Sequence, residues 1–145
     1  MIIDSNQVGS PTVPNSILNN ASGYIYGIRI VNYSASGLLT IKRNSIQNMT
    51  SGSTGFNASV TGVFSEGNAS GRYEITRNRI NNLAAMGTNS SSTASAVSGM
   101  AINVGGLPAI TINNNIIDHL TTNSSSANYI NGINLPVNGG KTPNL

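Results

Sequence analysis

The chain of 145 residues is about one domain long and carries 38% hydrophobic but only 8% charged residues, with a formal net charge of +3. An ordinary soluble domain is about a quarter charged; solubility here rests on Asn, Ser, Thr and 16 Gly, a balance that disfavours helices and favours strands and turns. Seven basic residues spread along the chain form no dense patch for nucleic acid, no apolar run approaches the roughly 20 residues that span a bilayer, and the lack of cysteine leaves no disulfide or thiolate metal site.

In chain order the first element is short. Ile3, Asn6 and Val8 stand at a spacing that returns three more times, and Met1-Ile-Ile-Asp-Ser-Asn lacks the basic start and apolar stretch of a signal peptide. Tyr26-Gly-Ile-Arg-Ile reads as a strand with one buried face, leading through a turn at Ser36-Gly37. Leu39-Thr-Ile-Lys-Arg-Asn-Ser-Ile-Gln-Asn-Met49 is the first full copy of a motif, and a polar stretch over 50–59 closes the unit. The series repeats as Thr61-Gly-Val-Phe-Ser, a turn at Ser70-Gly71, Tyr73-Glu-Ile-Thr-Arg-Asn-Arg-Ile-Asn-Asn-Leu83 and a polar stretch over 84–95. It repeats again as Ser98-Gly-Met-Ala-Ile, Gly105-Gly106, Ile110-Thr-Ile-Asn-Asn-Asn-Ile-Ile-Asp-His-Leu120 and 121–128, after which Asn131-Gly-Ile-Asn-Leu begins another round.

Superposed, the copies place Ile41, Ile75 and Ile112 in one column, Asn44, Asn78 and Asn115 in a second, Ile46, Ile80 and Ile117 in a third, and Met49, Leu83 and Leu120 in a fourth. Asn6 belongs to the Asn column, and Gly27, Gly62, Gly99 and Gly132 stand in register in the companion strand. Such a period means stacked copies of one unit. The pattern Ile-x-x-x-x-Ile-x-x-Leu fits a strand, a one-residue corner at the Asn, and a second strand, because Asn tolerates the left-handed conformation a sharp corner needs. The expected fold is an all-β solenoid running through 1–145 as one segment, with four coils of roughly 35 residues, each of three short strands and a longer loop. At about 4.8 Å per coil the stack is on the order of 19 Å long. Aliphatic columns fill its interior, and the Asn column lies inside or at a corner, each amide donating to the equivalent Asn one coil away.

Thr111-Ile-Asn-Asn-Asn-Ile-Ile and Glu74-Ile-Thr-Arg-Asn-Arg-Ile resemble the strand, Asn corner, strand signature of right-handed parallel β-helices of the pectate-lyase-like kind, and Gly27-Ile-Arg-Ile and Gly99-Met-Ala-Ile resemble its companion strand. The longer unit, with its Ser/Thr/Gly-rich loop, is similar to the tandem repeats of very large bacterial cell-surface proteins of the type IX secretion kind. That resemblance implies a structural or adhesive role outside the cell. The chain departs from a complete member in showing no secretion signal, cap or sorting domain, and is expected to be a segment of a longer repeat protein or filament.

Few residues offer chemistry. A polysaccharide lyase needs a base for the proton α to a carboxylate and a charge neutraliser such as Arg or Ca²⁺. The basic candidates are Lys42, Arg43, Arg72, Arg77 and Arg79; Arg43 and Arg77 share a column, and all of them also read as solvated exterior positions. Asp4, Glu66, Glu74 and Asp118 are single and scattered, so no calcium site is expected. His119 falls in the column of Asn48 and Asn82, which marks it as a polar turn residue; a dyad with Asp118 is disfavoured because neighbours on a strand point to opposite faces. Tyr24, Tyr26, Tyr33, Phe56, Phe64, Tyr73 and Tyr129 share no column except near the Gly strands, and the Asn-x-Ser/Thr triplets follow from composition.

The sequence therefore predicts a non-enzymatic, extracellular or cell-surface structural or adhesive solenoid, without catalytic residues, metal or cofactor. Its expected partners are its own kind, by end-to-end association or as further repeats of the same chain, with a possible glycan surface at Arg43, Arg77 and Tyr26. The alternative is a carbohydrate-active β-helix, a lyase or glycan-binding module.

Overall fold

The computed structural model describes residues 1–32, 37–54, 58–67, 71–87, 96–105, 109–123 and 129–135. Tyr33, Phe56, the expected turn residues Ser36, Ser70 and Gly106, and most of the polar stretches lie outside the described residues. Among the described residues thirteen strands follow in chain order: β1 (Ile2–Asp4), β2 (Gln7–Val8), β3 (Ile17–Asn19), β4 (Tyr24–Asn32), β5 (Leu38–Lys42), β6 (Ser45–Ser51), β7 (Ser59–Gly67), β8 (Arg72–Thr76), β9 (Arg79–Ala85), β10 (Val97–Val104), β11 (Ala109–Asn113), β12 (Ile116–Thr122) and β13 (Ile130–Asn134). No helix occurs among the described residues.

The strands form three parallel sheets, one per face of a solenoid. The first face is β1-β5-β8-β11, the second β2-β6-β9-β12 with β3 also on β6, and the third β4-β7-β10-β13. Register follows the sequence columns: Ile3 lies against Ile41, Ile41 against Ile75 and Ile75 against Ile112 on the first face, and Ile46 against Ile80 and Ile80 against Ile117 on the second. On the third, Ile25, Val60, Val97 and Ile130 form one inward row and Ile28, Val63, Met100 and Ile133 another. The aliphatic side chains of these inward rows thus stack on like neighbours one strand away, which suits pleated half-buried positions. Ile41, Ile75, Ile46, Ile80, Met49 and Leu83 are wholly enclosed, while Ile112, Ile117 and Leu120 of the last turn are only partly buried.

Two expectations need correction. Four copies were expected to make four coils, but the four strand layers on each face, with β2 and β3 sharing one layer of the second, are separated by three axial steps, so the described residues make about three turns. The axial rise is accordingly about 14 Å rather than 19 Å at the same spacing. The corner also differs. The left-handed residue is not the column Asn but the one before it, with φ of 56° at Ser5, 55° at Arg43, 56° at Arg77 and 53° at Asn114. The Asn is reserved for the interior, where its amide has work that no other side chain can do, and the adjacent solvent-facing residue takes the unfavourable dihedral, at about 1 kcal/mol. A second left-handed bend lies within the second face, at Asn48, Asn82 and His119 (φ 55°, 54° and 50°).

Where the third face passes the second, the Ile side chains of the second face press against the glycines of the third. The inward rows of the third face change phase at a glycine, with Ile25 and Ile28 inward on either side of Gly27 and Val60 and Val63 on either side of Gly62. A Cβ on Gly62 would sit 2.6 Å from Ile80 Cγ2 and 2.7 Å from the Gly99 carbonyl oxygen. The glycine column therefore makes room for the Ile column of the second face, which explains why the two recur together.

Candidate functional site

The Asn column is the most ordered polar feature of the molecule. Asn44 and Asn78 are buried. Asn44 Nδ2 donates to Asn78 Oδ1 at 2.9 Å and back to the Ile3 carbonyl at 3.1 Å; Asn78 Nδ2 donates to Asn115 Oδ1 at 2.9 Å and back to the Ile41 carbonyl at 3.0 Å. The backbone N–H groups of Asn6, Asn44 and Asn78 donate to the same Oδ1 atoms, at 3.0, 3.0 and 2.9 Å. Each position needs a short side chain that accepts two N–H groups and donates two. Asp has no donors when ionised and Gln is a methylene too long, so the column is Asn for satisfaction of buried polar groups. A second, outer ladder joins Asn82 Nδ2 to Asn48 Oδ1 and Asn48 Nδ2 to the Ser10 carbonyl at 2.6 Å.

The basic side chains do not converge on a site. Arg43 forks onto Asp4, with Nε 2.8 Å from Oδ1, and Lys42 Nζ lies 3.7 Å from Asp4 Oδ2. The hydrogen bond from Arg43 is the main influence lowering the Asp4 carboxyl from 3.8 to about 2; partial desolvation opposes it, and Ser5 and the two nearby cations add to it. Arg43 is raised in turn by the same partner. Arg77 occupies the equivalent corner one turn on and is exposed. Arg72 lies 3.9 Å from Glu74 and Arg79 4.0 Å from Asp118.

Tyr26 is elsewhere, on the outer side of the third face. Its ring stacks on Tyr24 with centroids 6.0 Å apart and 13° between planes, tilts against Phe64 at 4.7 Å, and carries the Arg29 guanidinium 5.5 Å above it. Arg29 also pairs with Glu66. Burial is the main influence raising the Tyr26 phenol above its usual value, only partly offset by Arg29. Arg43 and Arg77 therefore share one corner of the solenoid while Tyr26 lies on a different sheet, and the three candidate glycan-facing residues are not brought together. Sequence reasoning missed the pairing of Arg29 with the aromatics and Glu66. The signal was present: superposing Gly27 on Gly62 sets Arg29 opposite Phe64.

His119 requires a correction in its geometry. The left-handed conformation at His119 breaks strand alternation, so its Nδ1 comes within 3.3 Å of Asp118 Oδ1 rather than pointing to the opposite face. The imidazole is largely exposed, and Asp118 Oδ1 makes no hydrogen bond among the described residues. No group of three or more His, Cys, Asp or Glu able to hold a metal occurs among the described residues. No family model matches this chain, and neither a curated protein nor a solved structure is similar enough to count as a match.

Proposed function

We propose that this chain is a non-enzymatic structural segment of an extracellular or cell-surface solenoid, extending or displaying a rod built of stacked repeats. The observation that supports this most is how its polar and charged groups are used. The recurring Asn is consumed in joining one turn to the next, and all four Asp and Glu side chains lie within 4.0 Å of a basic side chain. Among the described residues these ion pairs are spread over separate faces rather than gathered into one constellation of acid and base, which general acid–base chemistry on a polymer needs. Antibody labelling of intact source cells tests the location: labelling without permeabilisation is expected, and labelling only after permeabilisation contradicts it. Incubation with uronic-acid polysaccharides tests the absence of turnover, and appearance of an unsaturated product would contradict it.

The aromatic cluster on the third face favours a second reading, a glycan-binding module. Sugar rings pack on aromatic planes, and Tyr24, half exposed, stacks on Tyr26 beside the Arg29–Glu66 pair. On this reading Tyr24→Ala abolishes retention on an immobilised polysaccharide to which the wild type binds; equal retention of both removes it.

A further inference from the structure

The two ends of the solenoid differ in a way that gives the stack a direction. Interior Asn amides donate both forward, to the next Asn Oδ1, and back, to an Ile carbonyl of the previous turn. At the first turn the backward partner is missing, and Asn6 Nδ2 folds onto its own Asp4 carbonyl at 3.1 Å while still reaching Asn44 Oδ1. At the last turn the forward partner is missing, and Asn115 Nδ2 folds onto its own Asn113 carbonyl at 3.0 Å while still reaching the Ile75 carbonyl. One end thus leaves an Asn Oδ1 acceptor open, and the other leaves an Asn backbone N–H open and one amide hydrogen turned back onto its own strand.

The apolar rows tell the same story. Val97 and Met100 are fully enclosed, yet Ile130 and Ile133, one turn further in the same rows, are 43% and 46% exposed. At the opposite end Ile3 and Val8, which head the rows of the first and second faces, are only partly buried. The glycine column adds an independent mark. A Cβ on Gly27, Gly62 or Gly99 would meet the carbonyl of the next glycine within 2.7 Å and an Ile of the next turn within 2.6 Å, whereas at Gly132 nothing lies within 4 Å. Gly132 lacks only the neighbours that a further turn supplies.

We propose that a second copy of this chain docks head to tail, its first turn on the last turn of the one before, in the register the interior already uses. This deepens, and rests on, the reading of the chain as a stacking element. In that register Asn115 N–H and Nδ2 donate to Asn6 Oδ1 of the incoming copy, the incoming Asn6 Nδ2 leaves Asp4 for the Ile112 carbonyl, and the incoming Gln7 N–H donates to the Asn115 carbonyl, as Ser45 N–H does to Asn6 at 2.9 Å. The incoming Val8 and Gly27 fill the space above Gly132. Head-to-head contact would set acceptor against acceptor at the Asn column, and tail-to-tail donor against donor, so polarity is chosen by unpaired groups as much as by apolar cover.

Single-cysteine variants of the full chain test it, since the wild type has no cysteine. The register puts Ile2 beside Thr40, Thr40 beside Glu74 and Glu74 beside Thr111; an incoming Ile2 therefore falls next to Thr111, at the strand spacing of about 4.8 Å that a disulfide spans. Under mild oxidation, Ile2→Cys mixed with Thr111→Cys is expected to give a disulfide dimer, and neither variant alone. A dimer from either variant alone, or none from the mixture, overturns the proposal. Gly132→Ala is expected to weaken association at least about tenfold with the Tm of the dilute monomer unchanged, because its Cβ meets nothing within the chain; association equal to wild type overturns the register. Failure here leaves the surface labelling result intact, and intracellular labelling leaves the cross-link intact, so the two readings fall separately.

Discussion

Single side chains in this fold act through what they satisfy in the neighbouring turn. Asn78 accepts from the Asn44 backbone and amide and donates to Asn115 and the Ile41 carbonyl, so Asn78→Ala strands several buried polar groups at once. A loss of about 3 kcal/mol is expected, against under about 1 kcal/mol for Asn6→Ala at the exposed end, measured by urea unfolding. The corner pair of Arg43 and Asp4 makes a pH prediction. The folded Asp4 carboxyl titrates at about 2, below the unfolded value near 3.9. It therefore binds fewer protons when folded, and its contribution is complete above about pH 4 and lost as the pH falls toward 2. Tm profiles of the wild type and Asp4→Asn should converge across that acid window and stay parallel above it.

At the scale of strands and bends, contact between faces is decided by the glycine column. Gly62→Ala places a Cβ against the Gly99 carbonyl as well as Ile80; backbone cannot step aside as a flexible side chain can, and a loss of about 2 kcal/mol by thermal or chemical unfolding is expected. The Ile, Asn and Gly columns were legible in the sequence because each is held by one contact repeated every turn, so the same residue type recurs. The left-handed corner was not, because Ser5, Arg43, Arg77 and Asn114 share only a solvent-facing position and a tolerable dihedral cost. The second face of the first turn was hidden too. There Val8 pairs with Ile46 and Ile17 with Met49, so three residues of the later turns are stretched to nine by the excursion over 9–16 that carries Pro11 and Pro14. The closeness of His119 to Asp118 escaped sequence reasoning for a related reason: a left-handed residue inside a strand cancels the alternation from which facing is read. Arg29 and Glu66 stand 37 residues apart and become neighbours only once the strands are stacked.

For the whole molecule the Asn column ends in an open acceptor at the first turn and a donor at the last, and the apolar and glycine columns of the third face are uncovered at the last turn. On the proposed head-to-tail docking, the binding information lies in the repeat itself, and association needs no surface separate from the one that holds the fold together. Sedimentation velocity over a concentration series of the wild-type chain tests that claim most directly. The expected result is a weight-average mass that climbs from 15.0 kDa through successive multiples as concentration rises, with no fixed upper oligomer; a single 15.0 kDa species across the whole range would contradict it.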